Sequence, residues 1–417
     1  MTRLPSLPHR TPAAEAFKVV IAGGGVAALE ASLALHELAG DRVDVTLLSA
    51  SHEFVYRPMA VLEPFVDRPP RRLTLARFVA ERGATLIHDT VDGVNTARRT
   101  VRTGHGRDIP YDALLIATGA TAAAVPAGAI PISPADLGQS LRRLIEEIDG
   151  GELDSLAFVA PRPSWPLPVY EVALLAAERA RERHPDLAIT IATVEQRPLE
   201  SFGDAVSAAV SELLAQAGIE LITGVGAELS GEMLTLEPGG RRMRYDRVVA
   251  LPRLDGPAID GLPGDVNGFL PITAQCEVVG AERVYAAGDA TQFPVKFGGI
   301  AAQQADAAAT AIAALAGASV APAPFDGTVH GMLLAGADRN RLYFSAEIQG
   351  TAAVSSQAGD APTASTDAKI AARYLAPYLD ALWAEGPRWL SNQLAWETTL
   401  RILEAQEAHR RFSAPRN

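Results

Sequence analysis

Gly23, Gly24 and Gly25 end a β-branched run that begins at Phe17, and a helical stretch from Leu29 to Leu38 follows at once. A second β-branched run, Val43 to Leu48, comes next. Glycines set between strand and helix in this way suit the binding of a dinucleotide pyrophosphate. Gly23 permits a tight turn off the strand, and Gly25, beyond Gly24, has no side chain to hold phosphates away from the backbone. Ala28 lets helix and strand pack closely, while the helix N-terminus offers free N–H groups to an anion. Ser49 stands about 20 residues past Ala28, where such a unit usually carries Asp or Glu against a ribose. Its hydroxyl can still hydrogen-bond a sugar but brings no charge. Alone, the glycines also suit a tight turn in any α/β domain.

Two later strands narrow the choice. Tyr111 to Ile116 runs into Ala117-Thr118-Gly119, and Val284 to Ala287 runs into Gly288-Asp289. The three motifs in this order resemble the two-dinucleotide-binding-domain flavoprotein superfamily, over a stretch from about Phe17 to Leu315. The resemblance implies FAD. Its pyrophosphate would lie on Gly23 to Ala28, with Ala117, Thr118 and Gly119 under the cofactor and Asp289 accepting a hydrogen bond from the ribityl chain. The aromatic and proline-rich stretch Phe54 to Phe65 is similar to a loop beside the flavin in sulfide:quinone reductases and type II NADH dehydrogenases. That likeness implies that Arg57 faces flavin or substrate; a solvated arginine is the alternative. After Asp289 come Lys296, the turn Gly298-Gly299 and an alanine-rich helix from about Ile300. In the family this helix points its positive end at the flavin pyrimidine edge. Lys296 would add charge there, and Gln303 and Gln304 either meet the ring or lie on ordinary helix surface. Lys296, Arg57 and Gln304 are the candidate catalytic residues, and Gly299 joins the candidate cofactor contacts.

The chain also repeats itself. Gly83 to Asp89 matches Gly218 to Gly224 in pattern, and Tyr111-Asp112 with its strand matches Tyr245-Asp246 with its own. Lys18 to Ala22 pairs with Leu156 to Ala160, and Val43 to Leu48 with Leu187 to Ala192. Two copies of one design therefore share the chain, the second inserted in the first. In the second copy, prolines 161, 163, 166 and 168 stand where the glycines should be. Proline has no N–H for a phosphate and cannot take positive φ. NAD(P)H in its usual pose is not expected, although an unusual pose over Pro161 to Tyr170 is an alternative. Trp165 to Glu171 is similar to a stretch of flavocytochrome c sulfide dehydrogenases in which a redox cysteine occupies the place of Trp165. The tryptophan reads as a structural plug or a substrate wall. Cys276 is the only cysteine, so a redox pair within one chain is excluded.

Composition frames the rest. A chain of 417 residues is too long for one ordinary core. The expected fold is α/β: two Rossmann-like dinucleotide-binding domains, the second inserted in the first, plus a C-terminal α+β extension. The FAD domain is expected over 1–125 and 264–325, the degenerate NAD(P)-binding-like domain over 126–263, and the extension over 326–417. A net charge of −12 argues against nucleic acid and against an anionic membrane surface. No signal-peptide core precedes Phe17, and no metal-ligand spacing appears among the histidines. A cytoplasmic homodimer is expected. Two helices are expected over Ala371 to Trp383 and Pro387 to Arg411, the second with Trp389, Trp396, Leu400 and Leu403 on one face. Membrane docking by that face is disfavoured by Glu397, Glu404 and Glu407. The resulting expectation is an FAD-dependent oxidoreductase passing electrons between a small donor and a quinone or protein acceptor. The alternative is an FAD-containing redox sensor that acts through a partner.

Overall fold

Two runs of β-branched and aliphatic residues open the chain, and both form buried parallel strands: β1 (Phe17–Ala22) and β2 (Val43–Ser49), joined by α1 (Val26–Ala39). The computed structural model describes residues 16–65, 71–132, 137–162, 164–336, 340–363 and 369–384. The expected helix from Pro387 to Arg411 therefore lies outside the described residues. After α2 (Leu75–Ala80), β3 (Thr85–His88) pairs with β2. An antiparallel unit of β4 (Val91–Asn95), β5 (Thr100–Thr103) and β6 (Asp108–Pro110) leads back to β7 (Ala113–Ile116), which pairs with β1.

The same plan then recurs. Past β8 (Ile130–Pro131) and α3 (Leu137–Asp149) come β9 (Ser155–Ala160), α4 (Leu167–Arg183), β10 (Ala188–Thr193), α5 (Asp204–Gln216) and β11 (Glu220–Ile222). A second antiparallel unit follows, β12 (Gly226–Ser230), β13 (Met233–Glu237) and β14 (Arg241–Arg244), and then β15 (Arg247–Ala250). Only much later does β16 (Val284–Ala286) return to pair with β7. The first sheet has the order β16-β7-β1-β2-β3 and the second β8-β15-β9-β10-β11. One detail marks the copies as repeats. The Asp112 carboxylate accepts the Lys18 backbone N–H at 2.8 Å, and the Asp246 carboxylate accepts that of Ser155 at 2.9 Å. In each copy an aspartate just before the fourth strand pins the start of the first.

The first core lies where α1 and α6 (Gly298–Leu315) cover the sheet. Both helices are mostly alanine on the faces that meet, which lets them run close together. The C-terminal sheet, β17 (Thr328–Leu334), β18 (Arg341–Gln349) and β19 (Ala352–Gly359), is antiparallel. Its Val329, Leu333 and Phe344 share one apolar cluster with Phe158, Tyr170 and Phe202 of the second copy and Ile300 of α6. The last described helix, α7 (Leu375–Ala384), begins four residues later than the pattern at Ala371 suggests, because its N-terminus is fixed by a carboxylate on α1. No helix among the described residues is long and apolar enough to cross a membrane.

Candidate functional site

Gly23 sits at φ +136° and donates its N–H to the Leu48 carbonyl at 2.8 Å. A Cβ there would lie 2.1 Å from the Ala117 carbonyl oxygen, so the glycine is what lets the ends of β1 and β7 meet. A Cβ on Gly24 would lie 2.6 Å from Ser49 Oγ, whereas one on Gly25 would meet nothing within 4 Å. The motif thus packs inward at Gly23 and Gly24 and faces open space at Gly25. Helix α1 starts beyond it with no side-chain cap, leaving its first N–H groups available to an anion. Ala28, in the first turn of α1, is fully buried. Ser49 is buried too: its hydroxyl donates to the Ser51 carbonyl and accepts the Ser51 N–H, both at 3.1 Å.

Across the sheet, β16 delivers Gly288-Asp289. Gly288 lies at φ +76°, and a Cβ there would stand 3.2 Å from that of Ala301, so glycine permits the close approach of α6. The Asp289 carboxylate is half-buried and accepts no hydrogen bond from the described residues. Burial pushes its pKa up, while the charges of Lys296 and Arg57 pull it back. Lys296 is 7 % exposed, far from the surface position open to a lysine in such a loop. Its ammonium donates to the carbonyls of Asp289 (3.2 Å) and Thr291 and lies 3.8 Å from the centroid of the Phe269 ring. Burial lowers its pKa to about 8, opposed by Asp289 and Asp265. Arg57 is exposed, on the turn Arg57–Leu62.

Gln304 is fully buried, and its carbonyl accepts the Gly288 N–H at 2.8 Å. Thr291 completes the bracket, its hydroxyl donating to the Gly288 carbonyl at 2.9 Å. Gln304 therefore fixes the turn that presents Asp289. Gln303 reaches the other way and donates to the Thr328 carbonyl at 2.6 Å. The N-terminus of α6, at Gly298 and Gly299, has no side-chain cap. Ile370 lies across it, with Cδ1 2.9 Å from where a Gly298 Cβ would stand.

The residues that could hold FAD fit it. An open glycine-lined approach faces uncapped helical N–H groups on one side of β1, and on the other a half-buried carboxylate waits without a hydrogen-bond donor. Described residues offer no cluster suited to a metal ion. A wide hollow lined by Lys18, Glu37, Asp41, Tyr111 and Leu315 opens at the N-terminal ends of the strands, the wrong end for a dinucleotide.

The corresponding end of the second copy is filled by side chains. Trp165 packs against Phe202 and Phe297, ring centroids 5.4 and 5.3 Å away, as a plug between the copies. At the start of α4, Pro168 has no N–H and that of Val169 is already given to the Pro166 carbonyl. The buried Glu195, just past β10, accepts the Tyr170 hydroxyl at 2.7 Å. Arg162 and Glu200 pair across the loop. Cys276 is fully buried and its thiol is pushed well above the ordinary range by burial alone, so it is not a nucleophile.

Three features escape the sequence motifs because each joins residues far apart in the chain. Glu30 on α1 accepts the Tyr374 and Leu375 N–H groups that begin α7, at 2.9 and 2.5 Å, and shares a hydrogen bond with Asp306 on α6. Glu171 and Lys369 form a buried ion pair at 2.5 Å, with Glu171 also accepting the Leu334 N–H at 3.0 Å. His52 and His88 stack, ring centroids 3.5 Å apart.

Comparison with known proteins bears on the fold. Residues 17–154 match the family model described as pyridine nucleotide-disulphide oxidoreductase. The fold is similar to that of the sulfide:quinone oxidoreductase of Aquifex aeolicus (TM-score 0.72, 20 % identity, 83 % of this chain and 87 % of that one). It is also similar to a ferredoxin reductase from Rhodopseudomonas palustris (0.63, 19 %, 79 % and 82 %). A putidaredoxin reductase solved in covalent complex with putidaredoxin gives 0.59 at 21 % identity, covering 80 % and 82 %. No curated protein matches the chain by sequence.

Proposed function

We propose, on the premise that this chain belongs to the two-dinucleotide-binding-domain FAD oxidoreductase superfamily, that it holds FAD and passes electrons from a small donor to a quinone or protein acceptor. The observation that carries the reading is the pairing of the glycine turn, open at Gly25, with the unpartnered Asp289 carboxylate on one sheet. When bound, FAD supplies the two-electron chemistry. The chain's part is to hold and polarise it. The N–H groups of α1 would meet the pyrophosphate, and Asp289 a ribityl hydroxyl. Lys296, Arg57 and the N-terminus of α6 would place positive charge where reduction adds negative charge. A quinone or ferredoxin-type acceptor is suggested by the names of the similar structures.

The donor is not a nicotinamide nucleotide seated in the usual way on the second copy. Trp165, Pro166 and Pro168 at the start of α4, and the Glu195–Tyr170 bond occupy the features such a ligand needs. An anaerobic titration of the purified protein tests both points. A flavin absorbance band that bleaches with dithionite, but not with NADH or NADPH, is the expected result. A colourless protein sinks the FAD reading; rapid bleaching by either nucleotide sinks the assignment of the second copy.

A further inference from the structure

FAD needs an anchor for its adenosine half, and the usual one is missing here. In a βαβ unit the ribose lies at the end of the second strand. Here that strand ends in Ser49, whose hydroxyl is spent on Ser51. The one carboxylate next along the sheet, Asp89, is taken by Thr103, the Thr90 N–H and His105. Neither side chain is free at this edge.

Two imidazoles stand in its place. His88 is the last residue of β3 and pairs in register with Ser49. His52 follows Ser49 by three residues and is held by its carbonyl, which accepts the Leu75 N–H at 2.9 Å. The rings stack with centroids 3.5 Å apart and planes 28° from parallel, and both residues are exposed. Two exposed aromatic faces at the adenosine end of a dinucleotide cleft are suited to a purine ring, which stacks on imidazole and needs no charge. We propose that the His52–His88 pair is the platform on which the adenine of FAD stacks, replacing the carboxylate that other such units use on the ribose. This rests on the FAD reading above, and it makes the pair a determinant of FAD over shorter flavins.

Fluorescence titration of the flavin-free full chain with FAD tests it, using wild type, the double variant His52→Ala/His88→Ala and His88→Phe. Base stacking of this kind predicts that the double variant weakens FAD by about tenfold or more. His88→Phe, which keeps a ring, should stay within about twofold of wild type on the same ground. The melting temperature of the flavin-free protein should be the same in all three, since both side chains are exposed. Unchanged affinity in the double variant would overturn the proposal, as would a phenylalanine variant as weak as the alanines. A wild-type chain that takes up no FAD would instead remove the flavin reading itself, and this inference with it.

Discussion

Each residue of the proposed FAD site has a distinct consequence when changed. At Gly23 a methyl group would have to displace the Ala117 carbonyl and tolerate φ +136°. Gly23→Ala is therefore expected to purify without bound flavin, which its visible spectrum will report. Lys296 has a pH signature. Its pKa in the folded chain, about 8, lies below the ordinary 10.5, so the ammonium is present below pH 8 and lost above it. Burying the charge opposes folding below pH 8, and that penalty fades as pH rises to the ordinary value. The flavin midpoint potential should fall more steeply with pH above about 8, and Lys296→Met should lower it at pH 7, on the order of tens of millivolts for one nearby charge. A variant with the wild-type potential at every pH removes Lys296 from the cofactor's surroundings. The turns at Gly23 and at Gly288-Asp289 were legible at the ends of their strands because a glycine after an apolar run marks such a turn. Ser49 was not: which way its hydroxyl turns depends on Ser51 and on the missing Cβ of Gly24.

At the scale of elements, α7 is held to α1 and α6 by a pair of acids. Burial and the neighbouring Glu30 charge push Asp306 up to about 8, so it stays protonated at neutral pH beside a Glu30 that caps the helix. A carboxyl group whose pKa is raised by folding contributes stability at low pH and loses it as pH rises towards the folded value. The groups around the pair are Arg373, Tyr374 and Glu37. Amide exchange over residues 375–384 should accelerate as pH is raised from 6 to 9 beyond the intrinsic chemical rate. Asp306→Asn, which keeps a hydrogen-bond donor without a charge, should abolish that extra acceleration. Hydrophobic periodicity announced a helix here but not its first residue, because the cap comes from the other end of the chain.

The whole molecule is a duplicated frame. Its topology was the most legible feature: the repeat of Tyr-Asp and its following strand, at Tyr111 and Tyr245, predicts the two sheets with their matching strand order. What periodicity could not show is how the C-terminal sheet joins them. Val329, Leu333 and Phe344 merge with the core of the second copy, and the Glu171–Lys369 pair ties α4, β17 and the segment before α7 together. Both side chains are almost wholly buried, 1 % and 4 % exposed. Lys369→Met would leave an unpaired buried charge and is expected to destabilise the chain by about 3–5 kcal/mol, with Glu171→Gln/Lys369→Met recovering much of the loss in chemical denaturation. Equal losses in the single and double variants would show that the lysine stem, not the charge pair, matters.

The segment from Lys369 to Leu375 also has a place in time. It lies across the start of α6 and is fastened by Glu171 and Glu30, yet it follows in sequence every residue of the proposed FAD site. On the ribosome, β1, α1, β16 and α6 all emerge before the stretch that fastens onto α1 and α6. The growing chain therefore passes through a stage in which the start of α6 is made and the segment that lies across it is not.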